Sequence, residues 1–140
     1  MKSEDKKVYE IIEKNLNLTE QQLDEMFETN KYLSQIMPQD ILQQIMFYEK
    51  LGINKENIAK VALQNPWFLT ESFERIRYIQ SYLAIVGITD LNWMAINHPI
   101  SLSVNPITIK DFIEDKRLQG KTDEQIKEDI MNNFEQYFSL

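Results

Sequence analysis

The chain has no cysteine, which excludes disulfides, thiolate metal sites and cysteine nucleophiles. It has one histidine, His98, and so cannot assemble a multi-histidine metal centre. Three glycines and four prolines in 140 residues are too few for an all-β fold, which needs a turn signal about every 8–12 residues. No apolar run approaches the roughly 18 residues of a membrane helix. The stretch Met1-Lys2-Ser3-Glu4-Asp5 carries no apolar signal core and is too acidic for an organelle transit peptide, so a cytoplasmic protein is expected. There is no phosphate-cradling glycine loop, and Ser72, Ser81, Ser101 and Ser103 lack a nucleophile-elbow context. These absences argue against an enzyme, with no catalytic residue, metal or cofactor expected.

What is present is an ordinary globular balance, 43% hydrophobic and 26% charged, long enough for one domain with a sizeable core. The net charge of −7 is unevenly spread. Residues 1–49 hold five lysines against ten acids, residues 50–121 nine Lys/Arg against seven acids, and residues 122–140 one lysine against five acids. Acidic ends repel phosphate at long range and favour a protein partner, a basic or nucleic-acid-handling one included. The weakly basic centre is where nucleic acid would bind.

Four junctions share one grammar: Leu16-Asn17-Leu18-Thr19, Leu51-Gly52-Ile53-Asn54, Val86-Gly87-Ile88-Thr89 and Gln119-Gly120-Lys121-Thr122. The second position is Asn or Gly, which accept the left-handed conformation that closes a helix. The fourth is Thr or Asn, whose side chains cap the next helix, and Gln22 and Gln125 complete capping boxes with Thr19 and Thr122. The second positions are 35, 35 and 33 residues apart. A second landmark recurs inside the units: Asn65-Pro66-Trp67-Phe68-Leu69 matches His98-Pro99-Ile100-Ser101-Leu102, with Asn30-Lys31-Tyr32-Leu33 and Asn132-Asn133-Phe134 at the corresponding places. Proline turns its predecessor away from the helical region and suits the first turn of a new helix. Each unit therefore reads as helix, break, short turn, longer helix.

Apolar residues at helical spacing agree: Val8, Ile11, Ile12 and Leu16; Ile41, Ile45, Tyr48 and Leu51; Ile58, Val61 and Ala62; Phe73, Ile76, Ile79 and Leu83; Ile109, Phe112 and Ile113; and Ile126, Ile130, Phe134 with Tyr137 or Phe138. Units of this size hide their apolar faces only by stacking. The expected fold is all-α, a short helical-repeat solenoid of 33–35-residue units in one domain over 1–140. Its units are 1–16 (cap), 17–51, 52–86, 87–119 and 120–140 (cap).

The pattern Leu51-Gly52-Ile53, Ile58, Pro66-Trp67-Phe68-Leu69, Leu83 and Gly87 resembles the repeat of mitochondrial transcription termination factor (mTERF) proteins, over roughly residues 16–120. The resemblance implies a leucine-rich helical repeat that binds nucleic acid along its stack. It points to Lys50, Lys55, Lys60, Arg75, Arg77, Lys110, Lys116, Arg117 and Lys121 as candidate nucleic-acid contacts. The charge balance alone places first a non-catalytic regulator that docks on a protein partner, an acidic inhibitor of a nucleic-acid-handling protein being its sharper form, and a nucleic-acid binder second.

Other candidates have simpler readings. The carboxylate pairs Asp24/Glu28, Asp111/Asp115 and Glu124/Glu128 are expected on solvated helix faces, and His98 in a structural role beside Pro99. Of Phe47, Tyr48, Trp67, Phe68, Tyr78, Tyr82 and Trp93, most are expected in the core. Trp67 and Phe68 are adjacent, so both cannot point directly into one core, and they are the candidate partner-binding residues.

Overall fold

The structure, a computed structural model, describes the backbone of residues 3–140 and side chains from residue 7 onward. Among the described residues there are eight α-helices and no strand. They are α1 (Ser3–Leu16), α2 (Glu20–Thr29), α3 (Pro38–Lys50), α4 (Lys55–Gln64), α5 (Phe73–Ile85), α6 (Leu91–Asn97), α7 (Pro106–Leu118) and α8 (Asp123–Tyr137). Short 3-10 turns, Lys31–Ser34 and Pro66–Thr70, separate α2 from α3 and α4 from α5.

All four junctions reverse the chain as their residues require. Asn17 has φ 53, and Gly52, Gly87 and Gly120 have φ 93, 90 and 84. At the three glycines the closure has two bonds. Gly52 N donates to Glu49 O and Ile53 N to Tyr48 O, and the same pattern recurs at Gly87 and Gly120. Asn17 makes the simpler form, one bond from its N to Glu13 O.

Thr19, Asn54 and Thr122 cap α2, α4 and α8, and both capping boxes form. The third junction departs from expectation, because Asp90 caps α6 in place of Thr89, accepting from Trp93 N at 2.9 Å. A carboxylate gains more than a hydroxyl from the partial positive charge at a helix N-terminus.

The break also recurs, at Asn30, Asn65, His98 and Asn133, with φ −108, −135, −134 and −134. The last of these kinks α8 from within.

Contacts divide the chain into two compact units, Met1–Glu71 and Ser72–Leu140. In the first, α1 packs on α3 and α4, and the turn Pro66–Thr70 packs on α3 and α4. Its core includes Val8, Ile12, Leu23, Leu33, Ile41, Ile45, Tyr48, Ile58 and Phe68. In the second, α7 packs on α5 and α8. Ile76, Ile79, Leu83, Ile109, Ile113, Ile126, Ile130, Phe134 and Phe138 are buried there. The apolar stripes thus face inward, except that Phe73, the first residue of α5, and Tyr137, the last of α8, are exposed.

Each unit ties one repeat to the next through its break residue. In the first, the Asn30 amide donates to Pro66 O and Thr70 Oγ1, both at 3.0 Å. In the second, the His98 ring lies 2.6 Å from Met131 O through Nε2 and 2.8 Å from Glu135 through Nδ1. The structural role expected for His98 is thereby filled, with its ring also between Trp93 and Phe134.

Candidate functional site

The two adjacent aromatics take opposite roles. Phe68 is fully buried, its ring stacked on Tyr48 at 3.9 Å with the planes 2° apart. The Tyr48 hydroxyl donates to Phe68 O at 2.6 Å and accepts from Gln44 Nε2 at 3.2 Å. Burial pushes the Tyr48 phenol well above its ordinary range, Gln44 opposes this, and Glu71 adds to it. Phe68 is a core residue and offers a partner nothing.

Trp67 is 37% exposed and meets Tyr32, 60% exposed, edge-on at 6.0 Å. These two are 35 residues apart, so they occupy the same place in successive 3-10 turns. A shallow cavity of about 380 Å³ lies beside them, lined by Tyr32, Gln35, Ile36 and Thr70. Tyr32 went unnoticed in the sequence, although the repeat spacing from Trp67 points to it.

The aromatic cluster is less buried than expected. Phe47, Tyr48 and Phe68 are core, Tyr82 and Trp93 are half-buried, and Tyr78 is exposed like Trp67. Helical spacing places a ring on a face but does not say whether a neighbour covers that face.

The candidate cations are on the surface: all are exposed except Lys116, which is half-buried over the Phe112 ring at 5.4 Å. Three have acidic partners. Lys60 meets Glu56 at 3.6 Å and Lys110 meets Glu114 at 4.0 Å, both within one helix. Arg117 grips Asp123 with two bonds, Nε at 2.9 Å and an Nη at 2.8 Å. Those bonds raise the Arg117 pKa and lower that of Asp123.

Lys50, Lys55, Arg75 and Lys121 form no ion pair among the described residues. Lys50, Lys116 and Arg117 stand in the last turns of α3 and α7, where the helix dipole favours cations. Lys116 and Lys121 share a groove of about 320 Å³ between α7 and α8 with Gln125, Glu128, Asp129 and Asn132.

Repeat register brings two of these cations into correspondence. Arg77 and Lys110 are 33 residues apart, on α5 and α7, which pack together in the second unit. Each directly follows a buried isoleucine, Ile76 or Ile109, so both leave their helices at the same angle. Apart from Lys116 and Lys121, which share their groove, the remaining candidates are not brought together at a repeat position. The three carboxylate pairs keep at least one exposed member each, and no group of three or more metal-ligating side chains comes together among the described residues. No helix among the described residues is long and apolar enough to cross a membrane.

The family model for mTERF matches residues 2–136, nearly the whole chain. No curated protein and no solved structure matches. The chain belongs to the mTERF family, and its all-helical repeat is the fold of that family.

Proposed function

We propose that this chain, as a member of the mTERF family, is a non-catalytic nucleic-acid-binding protein. The observation that carries the reading is the family match across residues 2–136, since the family's repeat binds nucleic acid. Supporting it, Arg77 and Lys110 recur at one repeat position on packed helices, and Arg75 stands exposed in the first turns of α5. Cations repeated in this way offer a row of contacts to a phosphate backbone. Their number is small and the chain is acidic, so affinity at physiological salt is modest and falls with salt on a shallow slope.

The test is gel-shift titration of the full chain on single- and double-stranded DNA and RNA, at low and moderate salt. A salt-sensitive shift is expected that weakens when Arg75, Arg77 and Lys110 are changed to Glu. A chain that shifts none of these probes at low salt overturns the reading. The second reading, a regulator that docks on a protein and acts as an inhibitor of a nucleic-acid-handling partner, draws on the exposed Trp67 beside Tyr32 and on the net charge of −7.

A further inference from the structure

In the first unit, α1 and α3 leave a groove of about 510 Å³ on their outer side, lined by Lys7, Glu10, Ile11, Lys14, Asn15, Pro38 and Leu42. The α1 residues fall at i, i+3, i+4, i+7 and i+8, so one continuous face of that helix forms a wall two turns long. Pro38 and Leu42 are one turn apart on α3, and Met46 extends their line by another turn. Leu42 is 38% and Met46 48% exposed. The floor is therefore apolar side chain standing in water, with methionine adaptable enough to fit an incoming surface.

Charge is sorted around this floor. Of the four charged α1 residues whose side chains are described, Lys7 and Lys14 both line the groove and stand at its two ends. Glu13 is not on the lining, leaving Glu10 as its only acid among the described residues. Neither lysine has an ion-pair partner among the described residues. The rest of the unit is acidic, with eight Lys/Arg against twelve acids over residues 1–71. A locally positive rim on an acidic body recognises negative charge at short range.

We propose that this groove docks an amphipathic helix of a protein partner, one whose apolar stripe is flanked by acidic residues. Its apolar side chains cover Ile11, Pro38, Leu42 and Met46, and its carboxylates reach Lys7 and Lys14. Two packed helices with a groove between them accept a third helix by ridge-into-groove packing. A nucleic-acid backbone fits worse, because phosphates would lie over apolar side chains and lose water without gaining partners. A second copy of the chain is disfavoured by its own net charge. The inference is independent of nucleic-acid binding, which is assigned to other residues.

The probe is a synthetic helical peptide of about five turns, roughly 18 residues, with a Leu/Met stripe and glutamates on both flanks. A control carries lysines in place of the glutamates. Amide chemical shifts of the full-length protein are followed during titration. Expected are shifts confined to residues 7–15 and 37–46 with the glutamate peptide, and at least tenfold weaker binding of the lysine peptide. The double change Lys7→Glu and Lys14→Glu, at exposed positions that leave the fold intact by circular dichroism, is expected to reverse the preference. Leu42→Glu is expected to abolish binding of both.

Equal binding of the two peptides, or shifts elsewhere, overturns the proposal. So does a dimer in sedimentation that leaves the groove inaccessible, or a DNA duplex that moves the groove resonances more than the peptide does. Loss of the gel shift on changing Arg75, Arg77 and Lys110 leaves this result untouched, so the two readings fail separately.

Discussion

At the break after its first helix, one repeat uses Asn30 and a later one uses His98, and both reach forward to the following repeat. In the first unit a neutral amide, fully buried, gives its hydrogens to Pro66 O and Thr70. In the second an imidazole meets Met131 O and the half-exposed carboxylate of Glu135. Three residues beyond the break stand Leu33 after Asn30, Phe68 after Asn65 and Ser101 after His98, and all three are completely buried. Asn30 and His98 therefore share a backbone station and a side chain that reaches the next repeat. The chemistry of the link and the volume behind it are free to change together, because the turn, and not a particular hydrogen bond, sets the geometry.

The sharpest way to break this comparison is at the volume. Phe68→Ala removes a ring stacked on Tyr48 and leaves a cavity, and is expected to cost about 3–5 kcal/mol. Its counterpart Ser101→Ala removes a buried hydroxyl that has no hydrogen-bond partner among the described residues. That change is expected to be neutral or stabilising, by up to roughly 1 kcal/mol. Urea denaturation of both variants checks the pair, and equal losses would mean that the two stations are not equivalent.

Next in size is the link itself. Asn30→Ala leaves Pro66 O without its amide donor in a part-buried site, at an expected cost of about 1–3 kcal/mol. Asn30→Asp is expected to cost at least as much, since a carboxylate then faces a carbonyl that needs a donor. Chemical denaturation distinguishes the two from wild type. If Asn30→Asp is harmless, the amide does not carry the connection between repeats.

The third change sharpens the comparison by testing backbone alone. Gly52 has φ 93 and nothing within 4 Å of where a Cβ would sit. Gly52→Ala therefore meets only conformational strain, and about 1 kcal/mol of destabilisation is expected. Asn17 occupies the same station at φ 53, so Gly52→Asn is expected to cost less than Gly52→Ala. Thermal unfolding of the two resolves the order.

These positions also show what was legible beforehand. The reversals at 17, 52, 87 and 120 could be read because few residues tolerate positive φ, and the recurring spacing ruled out coincidence. Thr19, Asn54 and Thr122 were readable for the same local reason, whereas Thr89 was not, because Asp90 beside it competes for the cap. What local sequence hides is the neighbour. His98 could not reveal Glu135, and Trp67 and Phe68 could not say which was covered, because each answer depends on residues 20 or more positions away. Lys7 and Lys14 were passed over for a related reason, since only the packing of α3 against α1 turns them into the rim of a groove.

The smallest effect separates the units by pH. Arg117 and Asp123 join α7 to the start of α8 across the junction at Gly120, and the first unit has no charged pair at the equivalent junction among the described residues. The Arg117 bonds hold the Asp123 carboxyl below its ordinary value of 3.8. Ionised in the folded chain and readily protonated in the unfolded one, it adds stability above pH 3.8 that is lost as pH falls through the folded value. The pair is about half exposed, so solvent and salt screen it and the change is slight. Asp123→Asn is expected to flatten the acid limb of a stability–pH curve without moving the neutral plateau appreciably. An unchanged acid limb in that variant would mean the two bonds add nothing to folding, and that Gly120 and the Thr122 capping box hold the junction alone.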